Sequence, residues 1–321
     1  MTALPTERRV ARPTLAQRFH RMDESRFGLL LLLPTALILL VFLVYPIVYA
    51  IRMSFHRIEL TVSPDQRWIG LDNYGRVLHD QVMRDSIVRT LTFAGLSVVI
   101  CVGLSLILAL VLNEAFAGRK MVRVLILLPW AVAPVVNGVM WRYLFQSNYG
   151  LVNAVLYSLG IIPAYQAWLT SAPLAITVAA VATAWKGMPF VTLILLASLQ
   201  SIPESLYRAA KMDGAGVLSR FRHIILPHLR NTLIFAVLLE TIVSLQVFDL
   251  IFTLTRGGPG QGTVLLSYLV YINAFERLSL GRASAMAVLL ALLIMSLIAL
   301  VTGLMFRLRP RAAAVAPDGA D

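Results

Sequence analysis

Four stretches of the chain, 27–51, 90–112, 124–141 and 283–306, contain no Lys, Arg, Asp or Glu. Each reaches or approaches the ~20 residues that cross ~30 Å of hydrocarbon at ~1.5 Å per residue. Two more apolar stretches are interrupted by Lys186 and by Glu240. The pattern predicts an all-α membrane protein with six transmembrane helices, near 27–51, 90–112, 122–145, 174–202, 230–254 and 284–306. The long unbroken runs do not fit the alternating pattern of a membrane barrel. Prolines 34, 46, 129, 134 and 189 fall inside these helices, which a bundle tolerates because neighbouring groups repair the lost backbone bonds.

Composition agrees: 59% of residues are hydrophobic and 14% charged, against about 25% charged in a soluble domain. The net charge of +12 is not a nucleic-acid signal, because the basic residues flank apolar runs. With the N-terminus cytoplasmic, 17 of the 28 Lys and Arg fall in cytoplasmic segments and 9 in outer ones. Segment 146–173 has none. Both termini are therefore expected to be cytoplasmic. The domain order is a leader (1–26), a first helix (27–51), an outer loop (52–89) long enough to fold on itself, a five-helix core (90–308) and a tail (309–321). The first apolar run is too long for a signal peptide's core, so it reads as a retained helix. The single cysteine, Cys101, excludes an intrachain disulfide.

Between the fourth and fifth helices lies a basic loop, 203–228. Ser201 and Glu204 have capping-box spacing, Gly214 is placed to stop the first helix, and a second short helix, Val217 to Ile225, is expected to end at Pro227. The paired small residues Ala209 and Ala210 leave a surface that another protein can approach closely. An interfacial helix–turn–helix lying on lipid headgroups explains the composition equally well.

Here the residues carry a resemblance. Arg208-Ala209-Ala210, three residues, Gly214, nine residues and Ile224-Ile225-Leu226-Pro227 are similar to the E-A-A, Gly, I-x-L-P motif of permease subunits of binding-protein-dependent ABC importers. Arg208 stands where that family usually has Glu. Trp68 to Tyr74, Leu128-Pro129-Trp130, Trp141 to Phe145, Gly150 to Asn153 and Leu254 to Pro259, with Thr263 and the stretch Tyr268 to Phe275, resemble the maltose/glycerol-phosphate class of carbohydrate permeases. The resemblance implies a type I permease fold in a bacterial cytoplasmic (inner) membrane. It implies that the loop is a coupling helix seated in an ATPase cleft through Arg208, Ala209, Ala210, Asp213, Gly214, Leu226 and Pro227. It also implies a second homologous permease subunit, two ATP-binding subunits carrying ATP and Mg, and an extracytoplasmic sugar-binding protein. No cofactor is expected on this chain itself.

Lys186 and Glu240 fall near mid-membrane, where a charge costs ~2.5–3.5 kcal/mol on insertion scales and so faces a cavity or a partner. They are read as lining a polar path, or as a structural ion pair. The family's sugar contacts carry over to Thr183, Gly187, Phe190, Glu240 and Ser244; Trp185 and Phe190 offer faces for stacking, and Gln246 and Asp249 lie nearer the outer mouth. The chain has no phosphate-cradling G-x-x-x-x-G-K-[ST], no catalytic constellation and no metal-ligand spacing among its five histidines. Two other readings stay open: a stand-alone ion-coupled transporter using Lys186 and Glu240, and a membrane-embedded transferase.

Overall fold

The computed structural model describes residues 24–61 and 63–307. The predicted leader, up to residue 23, and the tail 309–321 lie outside the described residues. The chain divides into two compact units, one up to Arg52 and one from Met53 onward.

The first unit is built from α1 (Glu24–Leu39), a π turn (Leu40–Val44) and the start of α2 (Tyr45–Ser54). Together they make an apolar rod over Leu31–Ser54, long enough to cross a bilayer. The π turn sits just before Tyr45-Pro46, and the Tyr45 N–H bonds Leu40 O. Proline removes the next donor and its ring crowds the carbonyl four residues back, so one extra residue in the turn relieves the clash.

The second unit begins with a hairpin, β1 (His56–Glu59) and β2 (Ser63–Trp68), antiparallel with His56 opposite Trp68. It leads into α3 (Asp72–His79). Asn73 holds this excursion together: its Nδ2 donates to Ser54 O at 2.8 Å and His56 O at 2.9 Å. The second span, α4 (Gln81–Asn113), starts nine residues before its charge-free run. It starts there because Asp80 caps the Val82 N–H at 2.9 Å and also pairs with Arg282.

The third span is not one helix. α5 (Arg119–Ile126) and α6 (Leu128–Ala131) are followed by α7 (Pro134–Leu144) after a bend of 100°. Ala133 precedes Pro134 and is extended at φ −62°, ψ 142°; a residue before proline is pushed out of the helical region by the ring. The expected single helix over 122–145 is thereby corrected to a broken span. α8 (Leu151–Ser158) follows, in a loop organised by Asn153. That side chain exchanges hydrogen bonds with Gln166 (2.9 and 3.1 Å) and accepts from Trp168 Nε1 at 2.8 Å.

The fourth span is α9 (Ala172–Gln200). It packs along α4 through small and polar residues. Ser97 Oγ donates to Ala180 O at 3.2 Å and Ser105 Oγ to Met188 O at 3.0 Å, while Ala179, Ala180, Ala182 and Ala184 are buried. Small residues let the backbones approach, and hydroxyls bond across helices where lipid offers no partner. The outward face of α4 carries Val99, Ile107 and Val111, all exposed. Large apolar residues outside and small polar ones inside are the arrangement hydrocarbon demands.

After α10 (Glu204–Met212) and α11 (Val217–Arg220), a π turn (Phe221–Ile225) runs without interruption into α12 (Leu226–Leu245), the fifth span. Pro227 therefore does not end a short helix; it opens a long one. The Leu226 N–H bonds Phe221 O, the same π-before-proline device as at Pro46. The fifth span stops at Leu245, short of the predicted 254, and resumes as α13 (Asp249–Leu254). A turn with a cis Gly258–Pro259 bond, α14 (Leu266–Tyr271), a π turn (Ile272–Glu276) and the sixth span α15 (Leu280–Arg307) complete the chain.

Candidate functional site

A cavity of about 450 Å³ opens between α6–α7, α9 and α12–α13. Two of its walls are places where a span breaks. Trp130, Pro134 and Asn137 come from the two sides of the 100° bend; Gln246 to Asp249 come from the break after Leu245. Irregular backbone at membrane depth is tolerated where it lines a cavity rather than lipid. The middle wall is one face of α9, where Thr183, Lys186, Gly187 and Phe190 recur at helical spacing.

Glu240 is the buried charge of this cavity, 3% exposed. Its place depends on Gly187: a Cβ there would lie 2.8 Å from Glu240 Oε2. Only a glycine lets the carboxylate rest against α9. Cys101 and Ser244 also face the carboxyl. Glu240 Oε1, Ser244 Oγ, Asn137 Oδ1 and Trp141 Nε1 are buried with no hydrogen-bond partner within 3.5 Å. Of these residues Glu240 and Asn137 line the cavity, and an unsatisfied polar atom costs about 1–3 kcal/mol unless a guest completes it.

The other predicted residues divide. Thr183 lines the cavity, but its hydroxyl proton is donated to Ala179 O at 3.0 Å. Lys186 lines it too, and it is not within 4.0 Å of Glu240, so the predicted ion pair is absent among the described residues. Phe190 lies on the wall and stacks on Trp130 at 6.3 Å and 13°. Ser244 is buried behind the lining. Trp185 is placed elsewhere: it meets Trp141 edge-on at 6.1 Å and packs into the core. It is half-buried and is not among the residues lining this cavity. Trp130 and Asn137 were missed by sequence reasoning; a Trp and an Asn beside two prolines in an apolar span were the available signal. Gln246 and Asp249, taken as weaker candidates near a mouth, line the same cavity.

The 203–228 loop is the second candidate region. α10 ends in a Schellman cap: Ala215 N donates to Ala210 O at 2.8 Å and Gly214 N to Lys211 O at 3.1 Å. Gly214 has φ +72°, the left-handed conformation such a cap needs. The predicted capping box does not form. Pro203 is the N-cap, so Glu204 falls at the first helical position rather than the third. Ser201 instead bonds Ser198 O at 2.8 Å and His228 Nε2 at 2.9 Å, tying the two ends of the loop together. Arg208, Ala209 and Asp213 are exposed, Ala210 is half-buried, and Leu226 and Pro227 are exposed at the start of α12. Met212, Val217 and Leu218 are 89, 76 and 79% exposed, an apolar ridge left uncovered by the described residues. Beneath it, Tyr207, Ile224 and Ile225 pack on the core cluster of Leu112, Leu195, Leu199 and Leu229. Burial raises the Tyr207 phenol above its usual pKa, helped by Glu114 and opposed by Arg220.

Residues 101–314 match the family described as binding-protein-dependent transport system inner membrane component. The chain is 39% identical over 273 residues to the trehalose/maltose transport system permease protein MalF of Thermococcus litoralis, covering 85% of this chain and 91% of that one. It is 34% identical over 284 residues to the trehalose transport system permease protein SugA of Mycobacterium tuberculosis, covering 88% and 90%. Among solved structures, a chain of a bacterial ABC transporter involved in import of the acidic polysaccharide alginate superposes with a TM-score of 0.76 at 24% identity, covering 89% of this chain and 98% of that one.

Proposed function

The chain belongs to the family of binding-protein-dependent transport system inner membrane components, and from that premise we propose that it is the permease subunit of an ATP-driven importer for a small sugar. The observation that carries the substrate class is the cavity itself. Stacked Trp130 and Phe190 offer an apolar face, while Glu240, Asn137, Lys186 and Gln246 offer acceptors and donors around it. A sugar has the matching pair of surfaces, and no metal or reactive cofactor is required. Names of relatives, trehalose and maltose among them, support the same class.

A second permease subunit would complete the translocation path, and an extracytoplasmic binding protein would deliver the sugar. ATP and Mg would be held by two partner ATPases seated against the exposed ridge of the 203–228 loop, with both termini of this chain in the cytoplasm. Tyr207, Ile224 and Ile225 would pass movement of the loop to α4, α9 and α12, the helices around Glu240. The stand-alone ion-coupled reading, with Lys186 and Glu240 as its coupling site, is disfavoured by the match to binding-protein-dependent transport components. In proteoliposomes containing the assembled complex, sugar uptake should require both ATP and the binding protein. Uptake driven by an ion gradient, without either, would overturn the proposal.

A further inference from the structure

A second, smaller cavity of about 210 Å³ lies among Arg256, Gly257 and Gly258 after α13, Ile272 and Arg277 after α14, and Val82 at the start of α4. Both arginines are exposed. Four arginines of the surrounding segments have carboxylate partners, Arg57 with Glu59, Arg76 with Asp72, Arg89 with Asp85 and Arg282 with Asp80, and Arg84 donates to His79 O at 2.9 Å. Arg256 and Arg277 share one cavity, and neither has an ion-pair partner among the described residues, although Glu276 adjoins Arg277 in sequence.

The turn that holds Arg256 is strained and packed. Arg256 has φ +51°, uncommon for a residue with a side chain, and Gly257 follows at +83°. Such conformations cost on the order of 1 kcal/mol or more and persist where the surroundings fix them. Here they are fixed: a Cβ on Gly257 would lie 2.7 Å from Val264 Cγ2 and 3.0 Å from Tyr268 Cε1. Thr263 closes the turn through Gly258 O at 2.8 Å and Thr255 Oγ1 at 2.7 Å. The backbone carrying Arg256 is thus fixed beside a cavity that Arg277 also lines, and two cations on one cavity favour an anionic guest.

Depth decides which anion. Val82 lies eight residues before Thr90, where the charge-free run of α4 begins, or about 12 Å along the helix. The headgroup layer on each side of the ~30 Å hydrocarbon is only about 5–8 Å thick. The cavity therefore stands beyond the lipid phosphates, on the face where the proposed function places the delivery protein.

Resting on that functional reading, we infer that Arg256 and Arg277 form a docking clamp for a carboxylate side chain on the surface of the soluble sugar-delivery protein. The contact is Arg–carboxylate, carried in part on a packed turn, and distinct from the sugar cavity.

The test uses the assembled complex in nanodiscs and the binding protein that stimulates its ATP hydrolysis, with affinity measured across a salt series. R256E/R277E is expected to weaken binding at least about tenfold near 0.1 M salt and to flatten its salt dependence. R256K/R277K, which keeps both charges, is expected to stay within about threefold. ATP hydrolysis without the binding protein reports assembly and is expected to be unchanged. Wild-type affinity and salt slope in R256E/R277E overturn the inference. Should R256E/R277E fail to assemble, R256Q/R277Q is measured instead, with the same two outcomes. A defect that appears only in anionic-lipid nanodiscs assigns the cavity to a lipid phosphate and overturns it too. If no binding protein stimulates even the wild type, the functional reading itself fails, and the inference with it.

Discussion

The loop at 203–228 and the cavity around Glu240 are built by opposite rules. The loop satisfies its backbone, through the Schellman cap at Gly214 and the π turn before Pro227, and leaves Met212, Val217 and Leu218 bare. The cavity buries side chains and leaves polar atoms unsatisfied: Glu240 Oε1 and Asn137 Oδ1. A rigid surface with exposed apolar side chains suits a large partner that brings shape and apolar area. A buried surface with unmet hydrogen bonds suits a small guest that brings hydroxyls. Between them lie the helices α4, α9 and α12, so one region can bias the other only by moving rigid rods.

Substitutions that damage one region and spare the other test this contrast. The largest effect is expected from Gly187→Val, whose side chain would occupy the space of the Glu240 carboxylate. Sugar uptake should fall about a hundredfold or more, while ATP hydrolysis without the binding protein persists. Gly214→Val forces a β-branched residue to φ +72°, a conformation costing roughly 1–2 kcal/mol for residues with a Cβ. Stimulated ATP hydrolysis should fall about tenfold, and sugar protection of the complex in thermal-shift assays should remain. Asn153→Ala lies in neither region. Losing its bonds to Gln166 and Trp168 should cost about 2–3 kcal/mol, visible as a lower Tm, with the ratio of transport to hydrolysis intact. The smallest effect is expected from Trp130→Leu, which removes one ring of the stacked pair. At about 1 kcal/mol for the lost stacking, the apparent KM for transport should rise about fivefold with kcat little changed.

The two regions also differ in how far they could be read from the residues alone. The loop is local. Gly214 must stop α10 because it alone fits the left-handed cap, and that was legible from position. Where local reasoning failed, a longer-range contact had intervened. Ser201 is used by Ser198 and His228, which leaves the capping role to Pro203. Pro227 reads as a stop, yet the π turn absorbs it and the helix continues. The cavity is not local: its walls come from three spans, and nothing in the spacing of Trp130 or Asn137 places them opposite Glu240. Lys186 and Glu240 were found because a charge at mid-membrane depth demands an explanation. Their lack of pairing could not be, since it depends on the rotation of α9 against α12. Trp185 shows the same limit, because helical periodicity does not say which of two faces meets the cavity and which meets Trp141.

The claim on which the rest depends is that the bare ridge of the 203–228 loop seats an ATPase. The lone native cysteine, Cys101, is buried, so a cysteine introduced at Met212, 89% exposed, gives a clean reporter. Cross-linking from M212C in intact membranes is predicted to capture the ATP-binding subunit, with capture changed by ATP. Labelling of M212C by a membrane-impermeant maleimide added to the outer face, with no ATPase adduct, would contradict the account.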